Sequence, residues 1–183
     1  MIILVDMDGV VADFEFGHRR MCEQMGLDPE LAGVDRDNWD ILGTVSDPAI
    51  RSQILAGWHA PGFFADLPPI PGAVNAVHLL ASQHLIFFCT APLKNHATCA
   101  SEKIAWVSRY FGEEFASRVI ISSDKTLVMG DVLVDDRPTI HGVNSSPSWT
   151  HHLFAQPYNQ KARQHRWNWP QLVTVYRKKE SSQ

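Results

Sequence analysis

Short hydrophobic runs alternate along the chain with longer segments in which apolar residues recur every three or four positions. The runs predict buried β-strands at Ile2–Val5, Leu85–Cys89, Val119–Ile121, Val132–Val134 and His152–Phe154. The longer segments predict helices from Phe14 to about Gly26, from Pro48 to about Trp58, at Ala73–Ser82, at His96–Phe111 and from Trp169 to about Lys178. Strands that alternate with helices in this way favour an α/β fold with a mostly parallel, doubly wound sheet.

The segment between the first strand and the helix at Ala73 departs from this alternation. Residues 28–58 are acidic and irregular apart from the helix at Pro48, for which Asp47 is the expected N-cap. The next segment, Pro61–Gly72, predicts an ordered connector, because its four prolines lack backbone donors. We therefore expect an α/β core of residues 1–16 and 71–183, with a small helical cap of residues 17–70 inserted after the first strand.

Polar side chains follow four of the predicted strands at the point where each strand ends. Two carboxylates follow the first strand, a hydroxyl the second, an amine the third and two carboxylates the fourth. In order along the chain they are Asp6, Asp8, Thr90, Lys125, Asp135 and Asp136. Ligands of doubly wound sheets bind at the carboxyl ends of the strands, so these side chains are expected to form one site.

The side chains at this sheet edge suit the chemistry of a metal ion and a phosphate group. Four carboxylates repel one another unless a cation is present, and oxygen ligands favour a hard ion such as Mg²⁺. Asp6 and Asp8 are two positions apart in extended chain and Gly9 permits a tight turn, so one carboxylate can attack phosphorus while the other protonates the leaving oxygen. Thr90 is then expected to bind a phosphate oxygen, and Lys125 to offset charge on the transferred group.

Taken singly, each of these residues has an ordinary structural explanation. An isolated Asp-x-Asp pair is common in turns, and Thr90 suits the cap of a strand end. Lys125 alone suits a solvated position, and Asp135-Asp136 a turn ahead of a proline. The combination favours a phosphate site, because each member follows its own apolar strand.

Four segments of the chain resemble the signatures of the haloacid dehalogenase-like phosphohydrolases, in the same order. The four segments are Asp6–Phe14, Cys89–Pro92, Asp124–Thr126 and Gly130–Pro138. More narrowly, the chain is similar to the 5′(3′)-deoxyribonucleotidases at Ala60–Phe64, Pro69–Ala73, Glu102–Val107 and Pro147–Trp149. The resemblance extends from Met1 to about Phe154, which is most of the chain.

The resemblance implies a Rossmann-like core with a helical cap, and it assigns roles to the acidic residues. Asp6 becomes the nucleophile, and Asp8 the general acid and later the base for the hydrolytic water. Mg²⁺ is expected to be held by the Asp6 carboxylate, the Asp8 backbone carbonyl and Asp136. Asp135 is expected to support the metal and Lys125.

The resemblance also implies a set of phosphate-binding residues and shows two departures from the family pattern. Thr90, the backbone N–H of Ala91, Lys94, Lys103 and Lys125 are expected near the phosphate. Many relatives carry Ser where Ala91 stands, and mammalian relatives carry Arg where Ser123 stands. Both departures bear on substrate preference rather than on reaction class.

Four aromatic residues have two open interpretations. Phe14, Trp39, Phe63 and Phe64 are either the walls of a nucleobase pocket between cap and core, or packing within the cap. Phe14 is the strongest candidate for substrate contact, because it follows Asp8 so closely.

Composition limits the classes of function. The chain has 183 residues, and its net charge of −4 disfavours a protein that grips nucleic-acid polymers. No apolar run approaches the ~20 residues of a membrane span, and the N-terminus lacks the pattern of a signal peptide. Cys22, Cys89 and Cys99 form no CxxC pair, which indicates reduced thiols in a cytoplasmic protein.

The sequence therefore predicts a Mg²⁺-dependent phosphomonoesterase that acts on (deoxy)ribonucleoside monophosphates through an aspartyl-phosphate. Two alternatives remain, namely a phosphatase for another small phosphomonoester such as a sugar phosphate, and a non-catalytic module that binds phosphate or nucleotide. Homodimer formation, base preference and 5′ versus 2′/3′ regiochemistry are left open by the sequence.

Overall fold

Six parallel strands form the sheet in the computed structural model, which describes residues 1–177. The strands are β1 (Ile2–Val5), β2 (Leu85–Thr90), β3 (Val119–Ile121), β4 (Val132–Asp135), β5 (Thr150–Phe154) and β6 (Arg166–Trp167). Their order in the sheet is β3-β2-β1-β4-β5-β6, and every neighbouring pair is parallel. This arrangement confirms the predicted α/β class.

Seven α-helices lie among the described residues. They are α1 (Phe14–Gln24), α2 (Ile41–Thr44), α3 (Pro48–Trp58), α4 (Ala73–Ala81), α5 (Cys99–Phe111), α6 (Glu113–Ala116) and α7 (Trp169–Tyr176). The structure confirms α3 and its predicted N-cap, because Oδ1 of Asp47 accepts the Ala49 N–H at 2.7 Å. The predicted end of α7 at Lys178 lies outside the described residues.

The predicted starts of two elements were wrong: β5 begins at Thr150 and not at His152, and α5 begins later than predicted for a local reason. Helix α5 begins at Cys99 and not at His96, because the His96 ring acts as an acceptor for the helix start. Nδ1 of His96 accepts the backbone N–H groups of Thr98 at 3.2 Å and Cys99 at 3.1 Å. A side chain that satisfies these free donors stands outside the helix it caps.

Alternate residues of the central strands pack on opposite faces of the sheet. Ile3 and Val5 join the large hydrophobic core that contains residues of α4, α5, α6 and α7. Leu4 faces the other way and packs with Leu133 and Trp149. Both faces of β1 are therefore buried, which accounts for its continuous run of aliphatic residues.

The helices α1, α2 and α3 have a hydrophobic cluster of their own. Its buried members are Met21, Cys22, Ala32, Val34, Ile41, Val45, Ile54 and Trp58. The chain leaves and rejoins the sheet-bearing part through paired backbone, with Asp13 N donating to Pro68 O and Ile70 N to Val11 O, both at 2.8 Å. The division into a core of residues 1–16 and 71–183 and a cap of residues 17–70 stays a prediction.

The connector Pro61–Gly72 is ordered by contacts with α5. The carboxylate of Glu102 accepts the backbone N–H of Gly62 at 3.0 Å and that of Phe64 at 3.1 Å. The indole of Trp106 donates to Leu67 O at 2.7 Å. These bonds fix the position of Phe64, whose side chain contributes to the cavity described below.

The three cysteines are free and buried. Burial raises the pKa of the Cys89 thiol to about 12 and that of the Cys22 thiol to about 11. Both thiols therefore stay protonated and unreactive at neutral pH.

Candidate active site

A buried lysine joins the ends of the first and fourth strands. Asp6 directly follows β1, and its backbone N–H continues the parallel pairing by donating to Val134 O at 2.9 Å. Nζ of Lys125 lies 2.7 Å from Oδ1 of Asp6 and 2.5 Å from Oδ2 of Asp135. Lys125 is therefore a buried partner of two carboxylates, and not the solvated side chain that a lone lysine suggests.

The surroundings of Asp6 favour its carboxylate form. Burial raises the pKa of Asp6, but the positive charges of Lys125, Lys103 and Arg137 more than offset this effect and lower it below the usual value. The carboxyl is consequently ionised at neutral pH, which is the form that a nucleophile requires.

Asp8 has a different environment, although it lies only two positions away. Its Oδ2 accepts a bond from Nζ of Lys103 at 2.7 Å, and the same ammonium donates to Oγ1 of Thr90 at 2.8 Å. Burial raises the pKa of Asp8, and the negative charge of Asp6 adds to that increase while Lys103 opposes it. Two carboxyls whose pKa values move in opposite directions suit different roles in acid–base chemistry.

The two carboxylate oxygens of Asp8 differ in their hydrogen bonding. Oδ1 is buried and has no hydrogen-bond partner among the described residues. Lys103, in contrast, is saturated, because it also donates to Ala91 O at 2.8 Å. Oδ1 is therefore the oxygen of Asp8 that Lys103 leaves without a hydrogen bond.

Three carboxylates at this edge are close enough to share a cation. Oxygen atoms of Asp6, Asp135 and Asp136 lie within 4.8 Å of one another. Burial, together with the charges of Asp135 and Asp6, raises the pKa of Asp136 well above its usual value. A divalent cation would relieve this repulsion, and an all-oxygen donor set fits Mg²⁺.

The cluster includes Asp6 and Asp136, two members of the predicted metal set, together with Asp135. Asp135 already pairs with Lys125 and accepts the Arg137 N–H at 2.9 Å, which suits its predicted supporting role. The Asp8 carbonyl as a third ligand stays a prediction.

These residues open onto a cavity of about 280 Å³ between the sheet edge and the helices α1 to α3. Of the predicted residues, the lining includes Asp6, Asp8, Phe14, Trp39, Thr90, Ala91 and Asp136. Residues that sequence reasoning did not propose for the site also line it, among them Glu15, Arg36, Arg137 and Tyr158.

Five predicted residues are absent from that lining, and one of them is Asp135, which pairs with Lys125. Lys103 and Lys125 lie behind it and act on it through Asp8 and Asp6. Phe63 packs edge-on against Phe14, with ring centroids 5.6 Å apart, while Phe64 lines the cavity. Lys94 is exposed and borders a separate open cleft, so the structure does not bring it to the carboxylates.

Comparison with known proteins shows the family. The sequence profile described as 5′ nucleotidase, deoxy (pyrimidine), cytosolic type C protein matches residues 1–179. The chain is 41% identical over 163 residues to the human mitochondrial 5′(3′)-deoxyribonucleotidase, covering 86% of this chain and 72% of that protein. It is 39% identical over 167 residues to the human cytosolic-type enzyme, covering 86% of this chain and 81% of that protein.

A solved structure supports the fold independently. A haloacid dehalogenase family hydrolase from Deinococcus radiodurans, with bound phosphate and sodium, is similar at a TM-score of 0.52 and 12% identity. The match covers 84% of this chain and 80% of that one. With the sheet order, the polar edge and the two human relatives, the chain belongs to the 5′ nucleotidase, deoxy (pyrimidine), cytosolic type C family, and it is a phosphoric monoester hydrolase of the haloacid dehalogenase-like fold.

Proposed function

We propose that the chain hydrolyses (deoxy)ribonucleoside monophosphates to nucleoside and phosphate, with Mg²⁺ and through an aspartyl-phosphate. One observation carries the proposal: Asp6, whose pKa is lowered, and Asp8, whose pKa is raised, open onto the same cavity beside Thr90. The names of the human relatives support the same substrate class.

In the first step, a carboxylate oxygen of Asp6 attacks the phosphorus atom. A bond forms between this oxygen and phosphorus, and the bond from phosphorus to the nucleoside oxygen breaks. Asp8 gives its proton to the departing oxygen, so that the nucleoside leaves as a neutral alcohol. Asp8 ends the step as a carboxylate, which the bond from Lys103 stabilises.

In the second step, Asp8 acts as the base. It takes a proton from a water molecule as the water oxygen bonds to phosphorus, and the bond between phosphorus and Asp6 breaks. Inorganic phosphate leaves, Asp6 returns to its carboxylate form and Asp8 is protonated again. Lys125 keeps its position between Asp6 and Asp135 throughout, and stabilises negative charge on the oxygen of Asp6 as that bond breaks.

The metal would be held by the carboxylates of Asp6 and Asp136 and by the Asp8 carbonyl. When bound, Mg²⁺ neutralises charge on the phosphoryl oxygens. Thr90 offers its hydroxyl to the same group, and the Ala91 N–H adds a donor. These ligand assignments rest on the carboxylate cluster and on the family resemblance.

We assign the helices α1, α2 and α3 to a cap that covers the nucleoside. Phe14, Trp39 and Phe64 supply apolar surface to the cavity, which suits a nucleobase. Phe63 supports the wall through Phe14 and does not form it. A base stacked on such rings contributes about 1–3 kcal/mol to binding.

Phosphate release from a panel of deoxy- and ribonucleoside monophosphates and sugar phosphates tests the proposal. With Mg²⁺, we expect hydrolysis of nucleotides at a higher kcat/KM than of sugar phosphates, and loss of activity with EDTA. A higher kcat/KM for a sugar phosphate would favour the alternative function, a phosphatase for another small phosphomonoester. If the wild type binds nucleotides but releases phosphate no faster than the Asp6→Asn variant does, the protein is a phosphate-binding module and not an enzyme.

None of the helices among residues 1–177 has the length and apolar character needed to cross a bilayer. We propose a cytoplasmic location and a small-molecule partner, with no nucleic-acid polymer bound. The relatives include cytosolic and mitochondrial enzymes, so fractionation of cells is the measurement that decides the compartment.

A further inference from the structure

A tyrosine outside the predicted site holds the carboxylate of Asp136. The Tyr158 hydroxyl donates a hydrogen bond to Oδ2 of Asp136. Tyr158 is only 4% exposed, and it lines the cavity together with Asp136. This phenol is therefore a buried hydrogen-bond donor to one oxygen of Asp136.

The backbone around Tyr158 fixes the position of its hydroxyl. Tyr158 lies in a 3-10 turn, Pro157–Asn159, that follows β5. The side-chain amide of Asn159 donates to Asp136 O at 2.9 Å and to Phe154 O at 2.8 Å. The same turn thus binds Asp136 twice, at its carboxylate through Tyr158 and at its carbonyl through Asn159.

Gly9 leaves the space that this arrangement needs. A Cβ at residue 9 would lie 2.6 Å from the Tyr158 hydroxyl oxygen and 2.8 Å from Oδ2 of Asp136, and the backbone φ there is +75°. The neighbouring Gln156 side chain donates to Gly9 O at 2.6 Å. The turn that follows Asp8 is therefore fitted directly against the pair of Tyr158 and Asp136.

Arg36, from the segment between α1 and α2, covers the ring of Tyr158. The guanidinium carbon lies 4.3 Å from the ring centroid, within the range of a cation–π contact. The guanidinium is itself held by two bonds to Glu15, of 2.5 and 2.8 Å, and its side chain is 3% exposed. A bidentate pair of this kind has little freedom to move.

We propose that Tyr158 is a positioning residue that orients Asp136 for the metal, and that Arg36 holds Tyr158 in that position. Groups that bond to metal ligands typically change metal affinity by about 10–100-fold when they are removed. The hydroxyl of Tyr158 donates to Asp136, so the effect of removing it would pass through that carboxylate. The inference rests on the Mg²⁺ site of the proposed function.

Calorimetric titration of the full chain with Mg²⁺ alone tests this without turnover. Tyr158→Phe keeps the ring under Arg36 and removes only the hydroxyl, so we expect the Mg²⁺ Kd to rise about 10–100-fold. Tyr176→Phe is the matched control, because that hydroxyl bonds to Nε2 of His152 at 2.5 Å, away from the cavity. The control should bind Mg²⁺ with the Kd of the wild type.

Kinetics at two Mg²⁺ concentrations separate positioning from a general structural role. Tyr158→Phe should regain most of its lost kcat when Mg²⁺ is raised to saturation, whereas a loss that persists at saturation would overturn the proposal. Arg36→Met leaves the hydroxyl in place and removes the cation over the ring, so a smaller rise in Kd is expected. If Tyr158→Phe does not fold, as judged by the loss of its cooperative thermal transition, the Mg²⁺ Kd of Arg36→Met tests the proposal in its place.

The outcomes distinguish this inference from the proposed function. A wild-type protein that does not bind Mg²⁺ would contradict the proposed metal dependence itself. Wild-type binding together with an unchanged Kd in Tyr158→Phe would overturn only the role given to Tyr158. An unchanged Kd in Arg36→Met would overturn the role given to Arg36.

Discussion

The ammonium of Lys125 lies 2.7 Å from Oδ1 of Asp6, and both side chains are buried at the carboxyl edge of the sheet. This contact explains why the carboxyl of Asp6 is ionised although burial alone would favour its protonated form. The proposed chemistry depends on this buried carboxyl being ionised before the substrate binds.

Replacing Asp6 by Asn should abolish turnover and leave the fold intact. The amide is nearly the same size but cannot form the acyl-phosphate, so we expect kcat to fall by at least about 10⁴-fold. Asp47→Asn is the control, since Asn also caps helices well and Asp47 is not part of the cavity lining. Steady-state hydrolysis by Asp6→Asn near the wild-type rate would remove the nucleophile assignment.

Replacing Asp8 by Asn should affect substrates according to their leaving groups. Nucleoside alkoxides need a proton as they depart, so kcat/KM for nucleotides should fall by about 10²–10⁴-fold. An activated aryl phosphate, whose phenolate leaves without a proton, should lose far less in the same comparison. Equal losses on both substrates would count against the acid role of Asp8.

The side chain of Phe14 should matter to nucleotides and not to small phosphate esters. It lines the cavity and packs edge-to-face on Trp58, with ring centroids 5.5 Å apart. Phe14→Leu removes the flat ring but keeps apolar packing, and we expect nucleotide KM to rise by about tenfold, within the range of one lost stack. Phe16→Leu, on the same helix but 50% exposed, is the control.

A rise in nucleotide KM that is matched on a small aryl phosphate would show that Phe14 supports the site generally. A nucleotide KM unchanged in Phe14→Leu would favour the alternative in which this ring only packs the helices α1 to α3.

His18 should make folding stability depend on pH. Its Nε2 bonds to Ala32 O at 3.0 Å, and its Nδ1 accepts from the Trp58 indole at 3.3 Å, so the neutral ring is fully bonded. Burial is the main cause that lowers the pKa of His18 to about 4, and the charges of Arg36 and Arg19 lower it further.

The unfolded chain therefore binds a proton at His18 more readily than the folded chain does. Its contribution to stability is complete above pH 6.5 and is lost as the pH falls toward 4, by about 3 kcal/mol over that interval. Urea unfolding at several pH values measures the change. His18→Gln should flatten this part of the profile, and an equal slope in wild type and variant would contradict the assignment.

The sequence was sufficient to predict the residues at the edge of the sheet, for a clear physical reason. Asp6, Thr90 and Asp135 each end or follow a strand whose apolar run is continuous, and parallel strands place their carboxyl ends together. The positions of these residues relative to the strand ends therefore predict that they lie near one another, whatever the conformation of the loops.

The residues that support this edge were not predictable in the same way. Tyr158 comes from a three-residue turn and Arg36 from an irregular segment, and neither carries a periodic pattern. Phe63 and Phe64 are adjacent in a turn held by Glu102, so only the backbone bonds decide which ring faces the cavity. Strand β6 has two residues, which is too short for an alternation to appear.

The covalent intermediate offers the most direct test of the account. Acid quenching of the enzyme during turnover of a deoxynucleoside monophosphate, followed by borohydride reduction, converts a phosphorylated aspartate to homoserine, and peptide mass spectrometry locates it. We predict homoserine at position 6, with none at Asp8 or Asp136 and none in the Asp6→Asn variant. Steady turnover without modification of Asp6, or with modification at another residue, would contradict the central claim.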